Sequence, residues 1–345
     1  MKKKLLVMAM TASVGIGLFT AGCSGDGARD ARQQSQDASR IAIIVKNAGN
    51  PYNERQMQGF REAAHDLGFE AILRAPAQPT AEAQIQMIEQ LITQRVAAIA
   101  IAANDYDALQ PALVRAMRQG IKVLSLDSAV NAASRMVHVN QADPERIGRT
   151  LVQAMSAMIG GEGQIAILSA TSQASNQNIW IEWMRRELAE KHPGMQLVRV
   201  AYGDDLRDKS VAETEALLLT FPDLKGIIAP TTVAVAAAGR VIQNRGLAGQ
   251  VHLTGLGLPS EMTAYILNGV SERIFLWNPI DVGYLAGHTA AALVRGEITG
   301  ASGDTFEAGR LGMREVITVG DGTEVMLGDP FEFNAENIEE WSAIY

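Results

Sequence analysis

From Arg40 onward, short β-branched runs alternate with segments whose apolar residues recur every three or four positions. The runs "IAIIV" (41–45), "FEAIL" (69–73), "VAAIAIA" (96–102) and "KVLSLD" (122–127) are apolar on both faces, as strands are in a parallel sheet with helices on each side. Between them, "NERQMQGFREAAHDLG", "TAEAQIQMIEQLITQ" and "YDALQPALVRAMRQG" carry helical spacing, and two end in a glycine suited to a C-cap. After "HVNQADPERIGR" the alternation restarts with "QIAILSA" (164–170), "QLVRVAYG" (196–203), "GIIAP" (226–230), "VHLTGLG" (251–257) and "RIFLWN" (273–278). The pattern predicts an α/β protein built of two doubly wound parallel-sheet halves in series. The last stretch, "DPFEFNAENIEEWSAIY", is predicted as an extended segment and a short helix capped near Asn334, docked on a lobe without chemistry of its own.

The N-terminus breaks this pattern. Lys2, Lys3 and Lys4 precede an apolar run from Leu5 to Thr20 that ends in small residues, the layout of an export signal. The run is shorter than the roughly 18 to 20 residues of a membrane-spanning helix. Three residues after it stands Cys23, the only cysteine of the 345 residues, so no internal disulfide is available. Thr20-Ala21-Gly22-Cys23 resembles the lipobox of bacterial lipoproteins, with Thr20 at a position where Leu is usual. That resemblance implies residues 1–23 form a lipoprotein signal ending in an acylated Cys23. The alternative is ordinary cleavage near Gly22, leaving a free thiol. Residues 24–39, rich in Gly, Ser, Gln and Asp, read as a disordered tether.

Losing the three signal lysines moves the formal net charge from -8 to -11, which excludes a nucleic-acid partner, since phosphates need a basic face. With 47% apolar residues, the roughly 300 residues past the tether suffice for a large core and two domains.

In doubly wound sheets the ligand sits beyond the carboxyl ends of the strands. Those ends carry Lys46, Asn50 and Tyr52; Asn104 and Asp105; and Asp127 in the first half. The second half supplies Asn176 and Gln177; Asp204 and Asp205; Pro230, Thr231 and Thr232; and Trp277 with Asn278. Carboxylates, amides and an ammonium satisfy vicinal hydroxyls, and an aromatic ring covers the C–H face of a pyranose, so the mixture suits a small polyol. Each residue also has a structural reading as a helix N-cap or turn former.

Nothing points to catalysis. The five histidines show no HExxH or short ligand pairing, no GxxxxGK occurs, and "GLGLPS" (255–260) lacks the third glycine of a dinucleotide loop. Asp204 and Asp205, if extended, point opposite ways and make a poor carboxylate pair for glycoside chemistry. No metal or other cofactor is expected. Trp180 and Trp183 read as core or interlobe packing, and the methionines as core filler.

The stretches "VKNAGNPY", "AIAIAANDYDAL", "SLDS", "ILSATSQASNQNIWIEWM", "YGDDLRDKS", "IIAPTT", "TGLGLPSEM" and "WNPIDVGY" closely resemble periplasmic sugar-binding proteins of ABC transporters, in the branch holding the rhamnose-binding and autoinducer-2-binding proteins. The resemblance spans about residues 40 to 345. It implies the type I periplasmic binding protein fold, with two lobes joined by a three-strand hinge. The first lobe would hold 40–140 and about 279–310, the second 141–278 and about 311–330, with 331–345 as the docked segment. It also implies cleft residues Lys46 and Asp127 from the first lobe, and Asn176, Gln177, Pro230 and Thr232 from the second. Asn50, Tyr52, Asn104 and Trp277 complete the candidate ligand set.

Autoinducer-2 binders typically have Asp where Asn176 stands and Ala where Thr232 stands. Asn adds donors and removes a charge, and Thr adds bulk and a hydroxyl, so the hydroxyl pattern the site can match changes. The expected ligand is therefore a deoxyhexose such as L-rhamnose, with autoinducer-2 uptake or sugar sensing as alternatives. The expected partners are the sugar, an ABC permease and a membrane reached only through the lipid at Cys23, with a monomer acting in the periplasm or at the cell surface.

Overall fold

The computed structural model describes residues 40–345. The expected signal, Cys23 and the tether fall outside the described residues.

The first lobe starts with β1 (Arg40–Ile44), α1 (Pro51–Leu67), β2 (Glu70–Arg74), α2 (Ala81–Thr93), β3 (Ala98–Ile101), α3 (Gln110–Arg118), β4 (Lys122–Leu126) and β5 (Val137–Asn140). Its five strands are parallel. Successive residues of β1 serve two different cores: Ile41 and Ile43 pack with Phe60 and Ala64 of α1, while Ala42 and Ile44 pack with Ile88 and Leu91 of α2. This is why the run reads as continuously apolar. Each such side chain contributes about 1.5 to 3 kcal/mol when fully buried. Helix α1 begins where Asn50 accepts from the Tyr52 N–H and Pro51 takes the first turn, and it stops at Gly68 in the left-handed conformation.

The second lobe runs through α4 (Pro144–Ile159), β6 (Gly163–Ser169), α5 (Ser175–Lys191), β7 (Met195–Tyr202), α6 (Arg207–Thr220), β8 (Leu224–Ala229), α7 (Thr232–Asn244), β9 (His252–Gly255), α8 (Pro259–Leu267) and β10 (Arg273–Leu276). Its sheet has the order β7-β6-β8-β9 and is parallel. The bridges Leu253 to Ser271 and Leu256 to Phe275 set β10 alongside β9.

The chain then returns to the first lobe. Helix α9 (Pro279–Arg295) lies against α1, and the two backbones touch. A Cβ on Gly59 would stand 1.8 Å from the Ile280 carbonyl oxygen, and one on Gly283 would stand 1.8 Å from that of Gln56. After a hairpin of β11 (Thr305–Glu307) and β12 (Met313–Glu315) come β13 (Ile317–Val319) and β14 (Gly322–Met326). The full order of the first sheet is β13-β14-β5-β4-β3-β1-β2.

This placement corrects the expectation that about 311–330 belong to the second lobe. Strand β14 pairs in parallel with β5, Glu324 to Met326 against His138 to Asn140. Without it the β5 edge would carry unpaired backbone groups beside the fully buried Val139 and Val325. The final crossing leads to β15 (Phe331–Asn334), antiparallel to β10, and α10 (Ile338–Ser342). Phe333, Trp341 and Tyr345 stack edge to face on the second lobe. The residue before α10 is Asn337, not Asn334; Asn334 instead accepts from the Glu336 N–H in the preceding turn. Three crossings thus join the lobes, at 141–143, 277–278 and 327–330. The first and third run side by side, with the Leu327 N–H on the Asn140 carbonyl at 2.8 Å.

The glycine contact between α1 and α9 generates a stability prediction. Gly283→Ala forces backbone apart and is expected to cost about 2 to 3 kcal/mol. Gly328→Ala, whose Cβ meets nothing within 4 Å, is expected to melt near the parent. Thermal unfolding by circular dichroism checks both.

Candidate functional site

Lys46 follows β1 and is 5% exposed. Its carbonyl is held by the Asn104 amide at 2.8 Å, while the Asn104 N–H donates to Gln84 at 2.9 Å. Gln84 in turn donates to the Val45 and Ala102 carbonyls. Asn104 thus braces the end of β1 from behind, and among the candidates it alone does not line the cavity described below. Beside it, Asn53 donates to the backbone and side-chain oxygens of Asn47, fixing the loop that leads into α1. Asp127 ends β4 in a left-handed conformation, φ 59°, which Asp tolerates better than most residues. Its N–H still bonds the Val139 carbonyl.

The second lobe presents helix starts. Asn176 and Gln177 occupy the first turn of α5, where the Gln177 N–H donates to Asn176 Oδ1. Pro230, Thr231 and Thr232 lead from β8 into α7. Asp205 follows β7 and accepts from the Thr231 hydroxyl. Trp277 lies in the crossing between β10 and α9.

These groups meet across the cleft. Lys46 Nζ donates to Asn176 Oδ1 at 3.2 Å and Gln177 Oε1 at 3.3 Å. Trp277 Nε1 donates to the Tyr52 hydroxyl at 2.6 Å, and that hydroxyl donates to Asp127 Oδ1 at 3.2 Å. The Tyr52 and Trp277 rings stand edge-on with centroids 6.4 Å apart, and Trp180 meets Trp277 at 5.9 Å. At the rim, Ser175 donates to the Ala129 carbonyl. The lobes are bridged, and between them lies a cavity walled by residues of both lobes and of the crossing that carries Trp277.

Nine of the ten sequence-predicted ligand residues line it: Lys46, Asn50, Tyr52, Asp127, Asn176, Gln177, Pro230, Thr232 and Trp277. The wall also contains Asn53, Trp180, Asp205, Thr231, Leu256 and Leu276. Leu256 and Leu276 sit at or just past strand ends, so the strand-end rule applies to them as well; being apolar, they carried no chemical signal. Trp180, read from sequence as packing, packs on Trp277 and faces the cavity as well.

Burial pushes the Asp127 carboxyl above its ordinary range; the Lys46 ammonium and the hydrogen bond from Tyr52 oppose that rise, and Asp205 adds to it. Burial, then the Asp127 charge, pushes the Tyr52 phenol well up, so Tyr52 stays a neutral donor. The cavity combines carboxylate acceptors, amides that both donate and accept, an ammonium and two indole rings. It can satisfy several hydroxyls of one small ligand while covering its C–H faces. No histidine lines it. His138 is buried behind it on β5 against Ser125, its pKa held well below normal by burial.

A family model described as "Periplasmic binding protein domain" matches residues 41–298. A solute-binding protein of an ABC transporter from Clostridium phytofermentas, crystallised with bound L-rhamnose, is 46% identical, with 89% of this chain and 99% of that one covered and a TM-score of 0.87. LsrB from Clostridium saccharobutylicum, in complex with AI-2, shares the fold at 23% identity and a TM-score of 0.83, covering 88% and 99% of the chains. A xylitol-binding protein of Mycolicibacterium smegmatis is 26% identical over 300 residues, covering 85% of this chain and 81% of that one. On this fold, this cleft and these relatives, the chain belongs to the periplasmic binding protein family, as a solute-binding protein of a sugar ABC transporter and not an enzyme.

Proposed function

We propose that the cleft binds L-rhamnose or a closely related deoxyhexose, and that the loaded protein delivers it to an ABC permease. The observation that carries this reading is the wall of the cavity: Lys46, Asp127, Asn176 and Gln177 form one polar network from both lobes, and Trp180, Leu256, Leu276 and Trp277 add apolar surface to the same lining. Such a wall suits a small ring that carries both hydroxyls and a methyl group. The rhamnose-bound relative from Clostridium phytofermentas supports the choice of sugar. So do Asn176 and Thr232, which depart from the Asp and Ala typical of autoinducer-2 binders. In this reading the ligand contacts are Lys46, Asn50, Tyr52, Asp127, Asn176, Gln177, Pro230, Thr232 and Trp277, while Asn104 supports Lys46. Acylation at Cys23 tethers a monomeric protein to the membrane outside the cytoplasm.

Two measurements test this. In a thermal-shift panel of L-rhamnose, other deoxyhexoses, pentoses and autoinducer-2, the cognate sugar at a hundredfold excess over its Kd is expected to stabilise by about 2.7 kcal/mol. A response to autoinducer-2 alone would refute the rhamnose assignment. Asp127→Asn keeps an acceptor for Tyr52 and a residue that tolerates the left-handed turn, but removes the charge. Calorimetry should show rhamnose affinity reduced about tenfold or more, with the melting point of the unliganded protein near that of the parent.

The anchor is tested separately. Cys23→Ser should move the protein from the membrane to the soluble envelope fraction, with sugar binding unchanged. Equal membrane association in variant and parent would exclude lipidation.

A further inference from the structure

The cavity contains a second carboxylate that the candidate set did not include. Asp204 and Asp205 both adopt left-handed conformations, φ 53° and 52°, in a turn pinned to the end of β6 by Gly203 N–H on the Ser169 carbonyl and Asp204 N–H on that of Ala170. The turn separates the two side chains. Asp204 pairs with Lys209, a third exposed, whereas Asp205 lines the cavity and is 8% exposed. The Thr231 hydroxyl donates to Asp205 Oδ1, and among the described residues no protein donor reaches Oδ2. Lys46, the one cationic group of the lining, is committed to the amide oxygens of Asn176 and Gln177. The lining thus holds two carboxyl groups against a single ammonium. The two carboxylates come from opposite lobes, and the charge of Asp205 reaches Asp127.

We infer that Asp205 is a ligand-binding and charge-selecting residue: it accepts a hydroxyl of the sugar from the second-lobe side and, with Asp127, bars anionic sugars from the cavity. This rests on the sugar-binding reading above. A hydroxyl donor relieves the buried carboxylate, because a charged acceptor makes the stronger hydrogen bond. A sugar acid would bring a second uncompensated anion into a water-poor site, where like charges repel strongly. The ligand class is therefore a neutral polyol with hydroxyls directed at both lobes.

The test compares Asp205→Asn with Asp204→Asn, its neighbour in the same turn. Asn tolerates the left-handed turn and still accepts from Thr231, so Asp205→Asn is expected to melt near the parent. Calorimetry should give rhamnose affinity about tenfold weaker or worse for Asp205→Asn and unchanged affinity for Asp204→Asn. The charge arm uses L-mannuronate, which is L-rhamnose with its methyl group oxidised to a carboxylate. The parent should prefer rhamnose by about a hundredfold or more, and Asp205→Asn should narrow that ratio about tenfold. Rhamnose affinity within about twofold of the parent in Asp205→Asn, an equal loss in Asp204→Asn, or an unchanged ratio would overturn the inference. A parent that binds no neutral sugar would instead overturn the sugar reading on which it rests.

Discussion

Burying Asp127 between two lobes is the constraint on which the rest of the structure depends. A carboxylate taken out of water is costly unless its lone pairs are satisfied and its charge is opposed. Its partners come from distant parts of the chain: Tyr52 from the start of α1, Lys46 from the end of β1 and Asn176 from α5 of the other lobe. Trp277, on the crossing between lobes, holds the Tyr52 hydroxyl from its other side. Juxtaposed lobes are what bring Asn176 to this group, so the electrostatics of one side chain and the relation of the two lobes are a single problem.

The fold solves it with rigid parts placed close together. The glycine contacts at Gly59 and Gly283 let α1 and α9 approach until backbone meets backbone. Trp277 lies two residues before α9, and Tyr52 lies in the first turn of α1. That helix crossing therefore sets the separation of the indole nitrogen and the phenol oxygen to 2.6 Å. Behind the site, Asn104 and Gln84 fix the backbone from which Lys46 extends. Polar groups at strand ends thus divide into those that touch the cavity and those that hold the first group still, a division needed for any site that recognises hydroxyls by geometry.

The same arrangement commits the groups around the cleft to one another. Tyr52 is a neutral donor, Asp127 is satisfied by neighbours, and His138 is buried on β5 against Ser125 of β4. None of these groups is poised to move a proton on a ligand. What the cleft can do is exchange hydrogen bonds between its own side chains and a guest of matching shape, which is what a carrier for an ABC transporter requires.

The alternation of β-branched runs and helical spacing was enough to identify two parallel-sheet halves, because strands buried on both faces leave an unbroken apolar signature. The residues after those strands likewise marked eleven of the cavity residues, nine of them in the candidate ligand set, since chain order alone places strand ends at the mouth of such a sheet. The pattern was silent where pairing rather than composition decides. β14 joins the first sheet because the β5 edge needs a hydrogen-bonding partner, a demand that no local periodicity of residues 322–326 expresses. Asn104 and Asp205 differ for the same kind of reason: both are polar residues just past a strand, and a local sequence cannot say which turn aims its side chain at the backbone and which aims it across the cleft. The sequence by itself determined the class of fold and the kind of chemistry at the strand ends. The tertiary structure alone decided which of those groups meet, because partners 130 and 225 residues apart are brought into contact only by packing: Lys46 with Asn176 by the docking of two lobes, and Tyr52 with Trp277 by the crossing of α1 and α9.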